Sequence, residues 1–114
     1  MHPILRDGLL AALTLLATGA LNLSPPARAQ SPAVQRGLAF VRIHCARCHA
    51  IDKVSPSPLG AAPPFRTLHT RYPVESLEEA LGEGIVTGHP SMPEFKLDPD
   101  QVGDVIAYLK SLEN

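Results

Sequence analysis

The 114-residue sequence has no tryptophan, and its aromatic side chains amount to three phenylalanines and two tyrosines. So few large rings leave little bulk with which to fill an interior. Cysteine is limited to two residues, which excludes a disulfide-dense scaffold. Neither sign of charge dominates: ten Lys and Arg stand against eleven Asp and Glu, a formal net charge of −1. That balance excludes both a basic nucleic-acid surface and an acidic solvating tail. The apolar run from Gly8 to Leu21 is 14 residues long, short of the roughly 20 that a bilayer-spanning helix needs. No β-type alternation and no internal repeat is present. Proline, in contrast, is plentiful at 12 residues, and the length allows one domain.

Residues 1–29 read as a secretory signal. Arg6 supplies a short n-region, weakened by Asp7, and the apolar run follows. Ser24-Pro25-Pro26 then breaks the helix ahead of Ala27-Arg28-Ala29, an A-x-A cleavage pattern. The alternative is an uncleaved N-terminal segment that anchors the chain to the membrane. Cleavage after Ala29 places residues 30–114 in the periplasm as one domain, with a net charge of −2, no inserted segment and all five aromatics. A domain of that size draws only about 3–5 kcal/mol from its core and needs a staple, metal or cofactor.

Within residues 30–114 the pattern is helical and loop-rich. Ser31 and Pro32 form an N-cap followed by proline at the first helical position. Val34, Gly37, Leu38, Val41 and Cys45 then recur at helical spacing, which predicts a first helix over 32–48. Four prolines and a glycine exclude regular structure from Val54 to Phe65. A capping box, Ser76-x-x-Glu79, predicts a second helix over 76–83, ended by Gly82 and Gly84. The last helix opens with Asp98, Pro99 and Gln101, and Val102, Val105, Ile106, Leu109 and Leu112 form its apolar stripe. The fold class expected is all-α, with three main helices and proline-rich loops.

Chemistry concentrates in Cys45-Ala46-Arg47-Cys48-His49, a C-x-x-C-H motif of covalent haem attachment. Positions i and i+3 share a helical face, so both thiols can meet the vinyl groups on one porphyrin edge. His49 then falls beneath the ring. Other readings explain less. A Cys45–Cys48 disulfide would close a tiny loop, a thioredoxin-like motif needs a βαβ setting, and His69 and His89 do not form an H-x₃₋₅-H zinc pair. For the opposite axial position Met92 is the single methionine after Ala29, and it lies between Pro90 and Pro93. A lone methionine commonly fills core gaps, but a proline-stiffened loop suits a ligand held still. His89 is its rival. His44 and His69 are expected to be solvated or locally hydrogen-bonded, and His44 sits too near Cys45 to reach the far haem face.

These features together resemble class I c-type cytochromes, in particular small bacterial periplasmic ones, over nearly all of residues 30–114. The resemblance runs through Gly37-x-x-Phe40, Cys45-Ala-Arg-Cys48-His49, Ala62-Pro63-Pro64-Phe65, Gly88-His-Pro-Ser-Met92-Pro93-Glu-Phe95 and Ile106-Ala-Tyr108-Leu109. It implies a small cytochrome c-like fold with one covalently attached haem c and its iron. Cys45 and Cys48 would carry the thioethers, His49 the proximal bond to iron and Met92 the distal one. Gly37 would let the first and last helices approach near Tyr108. The carbonyl of Pro64, or that of Pro63, would accept a hydrogen bond from His49 and orient it. The chain departs from the mitochondrial G-P-x-L-x-G pattern after the haem motif, which leaves the choice of proline open.

Two filled axial positions leave iron no place for substrate, so the expected role is a one-electron carrier between Fe(II) and Fe(III), not an enzyme. Its partners would be an electron donor and an electron acceptor protein, with no nucleic acid, and the chain would be a monomer. Residues 31–71 carry a net +5 and residues 72–114 a net −7. These charges either pair between the terminal helices or leave a modestly basic haem edge at Arg47, Lys53 and Lys96. Alternative functions are a five-coordinate haem for gas binding or peroxidase-like chemistry, and a haem-free redox or metal module built on the two thiols. The shortage of bulky side chains predicts that residues 30–114 lack a stable tertiary fold without haem.

Overall fold

The computed structural model describes Ser24, residues 29–84 and residues 91–113. The signal segment, apart from Ser24 and Ala29, and His89 with the start of the Met92 loop lie outside those residues. Three α-helices form, α1 (Pro32–His44), α2 (Leu77–Glu83) and α3 (Pro99–Ser111), and no strand occurs among the described residues. This is the all-α architecture expected. No helix of the described residues is long and apolar enough to cross a membrane.

The start of α1 follows its sequence signal: the Val34 N–H donates to Ser31 Oγ at 3.3 Å, and Pro32 needs no partner for a missing N–H. Its end comes four residues earlier than the periodicity predicts. The N–H groups of Cys45 and Ala46 both donate to the Val41 carbonyl, at 2.8 and 3.0 Å. Two donors on one acceptor break the regular i→i−4 ladder, and the haem motif leaves the helix as a separate turn. There the N–H groups of Cys48 and His49 both donate to the Cys45 carbonyl, at 3.1 and 3.0 Å.

At the other end of the chain, α3 begins with its capping box, in which the Asp98 N–H donates to Gln101 Oε1 at 3.2 Å. Val102, Val105, Ile106, Leu109 and Leu112 are all buried, as is Tyr108. The helix crosses α1 at Gly37. A Cβ there would overlap the Asp104 carbonyl oxygen and lie 2.7 Å from Tyr108 Cβ, so only glycine permits this approach. Arg36 adds a two-pronged ion pair with Asp104, Nε–Oδ2 2.7 Å and Nη2–Oδ1 2.8 Å, and Lys110 pairs with Glu75. The Arg36–Asp104 pair joins the two terminal helices, one of the two arrangements expected of the uneven charge.

Two 3-10 turns, Phe65–Thr70 and Val74–Ser76, lie between the expected helices. Each follows a proline in extended conformation, Pro64 (φ −59, ψ 134) and Pro73 (φ −58, ψ 130), which fixes the direction from which the turn starts. The second turn alters the start of α2. Ser76 is already helical, and its side chain makes no cap bond, so the expected Ser76–Glu79 capping box does not form. Gly84 ends α2 with φ +106, a conformation that favours glycine. The core joins Val41 of α1, Leu68 and Val74 of the 3-10 turns, and the buried face of α3.

Candidate cofactor site

Beside this core lies a cavity of about 470 Å³. Its apolar wall is drawn from segments far apart among the described residues: Phe40 and Val41 of α1, Leu68, Leu77 and Leu81 of the middle segment, and Val105 and Leu109 of α3. The haem-motif turn contributes Cys45, Cys48 and His49, and the loop before α3 contributes Met92. Two thiols, an imidazole and a thioether that are far apart in sequence thus face one cavity.

Backbone bonds explain how the proline-rich loop supports that arrangement. The Leu59 N–H donates to the Cys48 carbonyl (3.1 Å), the Ala50 N–H to Ser57 Oγ (3.0 Å), and the Phe65 N–H to the Ala50 carbonyl (2.9 Å). The loop is pinned along residues 48–50, next to His49. His49 Nδ1 then lies 2.8 Å from the Pro63 carbonyl oxygen. A carbonyl only accepts, so Nδ1 carries the proton and Nε2 keeps its lone pair for a metal. The ring of Phe65 packs against His49 with centroids 4.7 Å apart and a 34° tilt, which restricts imidazole rotation.

The proline that holds His49 is therefore Pro63, not Pro64. The Pro64 carbonyl is engaged elsewhere, accepting the Thr67 N–H at 3.0 Å and the Thr67 hydroxyl at 2.8 Å as the first 3-10 turn begins. That local bond turns Pro64 away and leaves the preceding carbonyl to the histidine. On the α3 side, the Tyr108 hydroxyl donates to the Ile51 carbonyl at 2.5 Å, tying the segment after the motif to the last helix.

Cys45 is half-buried, and burial pushes its thiol up to about 11. It is accordingly a neutral thiol at ordinary pH, and its apolar surroundings disfavour the thiolate. The two cysteines are not bridged to one another. No cluster of three or more His, Cys, Asp or Glu side chains that could hold a bare metal ion occurs among the described residues.

Residues outside the C-x-x-C-H turn and the Met92 loop also meet the cavity. His44 was expected to be solvated or locally hydrogen-bonded. It is exposed, yet its ring packs against Phe40 (4.4 Å between centroids) and Phe95 (5.9 Å), at the cavity wall. Arg71 is the charged side chain of that wall among the described residues, with Tyr72 beside it, whereas Arg47, Lys53 and Lys96 do not line it. The signal for Arg71 was weak, one arginine among six basic residues between positions 31 and 71. His69 is exposed and stands away from the cavity.

Helices folded over an apolar hollow, with a C-x-x-C-H turn in its wall, define a class of protein that completes its core with a covalently held prosthetic group. The family model for cytochrome c matches residues 34–113, and the chain belongs to that family. No curated protein and no solved structure gave a significant match. The family's cofactor is covalently bound haem c with its iron, and its members in general carry electrons between redox proteins rather than catalyse reactions. The residues present fit the group: the cavity is apolar, both thiols reach it, and the adjoining histidine has one nitrogen tied down and the other free.

Proposed function

We propose that this protein is a periplasmic one-electron carrier in which Cys45 and Cys48 hold haem c through thioethers, His49 is the proximal ligand and Met92 the distal one. The observation that carries this reading is that His49 and Met92 share the wall of a single cavity with both cysteines, although Met92 lies 43 positions beyond His49 in the sequence. The haem supplies a reversible Fe(II)/Fe(III) couple. The chain's own part is to keep water out of the cavity, hold the imidazole through the Pro63 carbonyl, and close the distal side with a thioether. A thioether ligand and an apolar surround both favour the reduced, less charged iron and so raise the potential. Arg71 offers a guanidinium suited to the carboxylates of haem. Export rests on the Arg6–Ala29 signal pattern, and partner docking would be weak and salt-sensitive at such a sparse basic edge.

The Met92→Ala variant tests the ligand. Ferric parent protein is expected to show a sulfur-to-iron charge-transfer band and, when reduced at neutral pH, to resist carbon monoxide. In the variant the band should vanish, the potential fall and carbon monoxide bind. Rapid and complete carbon monoxide binding by the parent would instead identify a five-coordinate haem, and the carrier reading would be wrong.

A further inference from the structure

The segment carrying Met92 is joined to α1 by a cluster of three rings. Phe40 and His44 lie one turn apart on α1, with ring centroids 4.4 Å apart. Phe95, three residues beyond Met92, meets both nearly edge-on, at 6.1 Å from Phe40 (70°) and 5.9 Å from His44 (75°). Edge-to-face geometry at these separations is attractive, because a positive ring edge faces a negative ring face. On its other side the same segment is tied by the Leu97 N–H, which donates to the Leu81 carbonyl of α2 at 2.9 Å. Pro93 stands between Met92 and Phe95 and fixes one backbone angle of the short connection. Where Phe95 is held, the position of Met92 relative to α1 is restricted.

We propose that His44 is a positioning residue for Met92: its ring completes an aromatic latch with Phe40 and Phe95 that keeps the Met92 segment closed over the cavity. The inference rests on the reading of Met92 as distal ligand and adds to it a residue of the cavity wall, not itself a ligand, that governs how readily that ligand leaves. The sequence motif ends at Phe95, and nothing in its spacing points to His44. The role arises because α1 and the Met92 segment come together only in the folded chain. Since His44 is exposed, its replacement removes the ring contacts without hollowing the core. The latch therefore acts on the opening of the distal side more than on global stability.

Imidazole added to the ferric holoprotein competes with the thioether, so its apparent affinity measures how often the Met92 segment opens. Removing one ring from the latch forfeits a contact of modest strength, and His44→Ala is expected to bind imidazole about three- to tenfold more tightly than the parent. Its sulfur-to-iron band should persist when no imidazole is present. His44→Phe restores a ring and is expected to match the parent. Arg36→Ala, which breaks an ion pair of α1 away from the rings, should also match it. The latch is overturned if His44→Ala binds imidazole no better than Arg36→Ala, or if His44→Phe behaves like His44→Ala. A parent protein with no sulfur-to-iron band at all would overturn the ligand assignment, and the latch with it. A normal parent band together with an unmoved His44→Ala would overturn the latch alone.

Discussion

Asp52 shows how a single carboxylate organises the turn after the haem motif. Its Oδ1 accepts the N–H groups of Val54 (2.8 Å) and Ser55 (2.6 Å). The Ser55 hydroxyl, then these two N–H groups, hold its pKa at about 2, below the usual 3.8. Because the folded-state value is depressed, the stabilisation is fully present above pH 3.8 and is lost as pH falls through about 2. Denaturant titrations of parent and Asp52→Asn should therefore differ by a constant margin at pH 5 and above, and that margin should shrink at pH 3 and close near pH 2. A margin that persists unchanged at pH 2 would remove the carboxylate from the explanation. The same scale shows what was legible at single positions. The reactive side chains of Cys45, Cys48 and His49 stand together in sequence, so their grouping could be read directly. Which proline carbonyl meets His49 could not be read, because the choice turns on Thr67, whose two bonds claim the neighbouring carbonyl.

Among the helices, those with periodic apolar stripes were recoverable because their buried faces are written in the spacing itself. Every stripe residue read for α3 is buried. Boundaries that depend on a competing acceptor were not. The end of α1 follows from two donors meeting at Val41, and the start of α2 from a 3-10 turn launched by Pro73. Ser76 and Asp98 occupy similar positions in similar sequence motifs but in different backbones, extended at Asp98 (ψ 153) and helical at Ser76 (ψ −12). Only an extended cap residue leaves room for the reciprocal bonds of a capping box. Removal of the α3 cap by Asp98→Ala is thus expected to cost about 1 kcal/mol, within the range for helix caps. Ser76→Ala should cost at most a few tenths of that, since no cap bond is lost. Paired urea unfolding curves of the holoprotein would compare the two. Equal losses at both sites would show that Ser76 caps α2 in solution after all.

For the molecule as a whole, the scarcity of large rings and the wealth of proline become one physical fact. The side chains at the centre, Val41, Leu68, Val105 and Leu109, are core residues and cavity wall at once. The distant convergence of Met92 with the C-x-x-C-H turn, and the volume they enclose, are properties of the folded chain, which is why sequence could suggest the ligands but not the space between them. An unfilled hollow of about 470 Å³ is costly. The apolar side chains of its wall would face water or void where a large ring should pack against them, and so forfeit burial and contact together. The bonds that survive without haem, such as the Arg36–Asp104 pair and the Tyr108–Ile51 contact, are too few to offset such a loss. Residues 30–114 made without haem attachment, for example as a Cys45→Ala/Cys48→Ala variant, are therefore expected to keep some helical far-ultraviolet signal but lose the near-ultraviolet bands of fixed aromatic packing. Calorimetry should find no cooperative transition. A sharp unfolding endotherm from that haem-free chain would show that the helices pack on their own and that the cofactor occupies a finished fold instead of completing it.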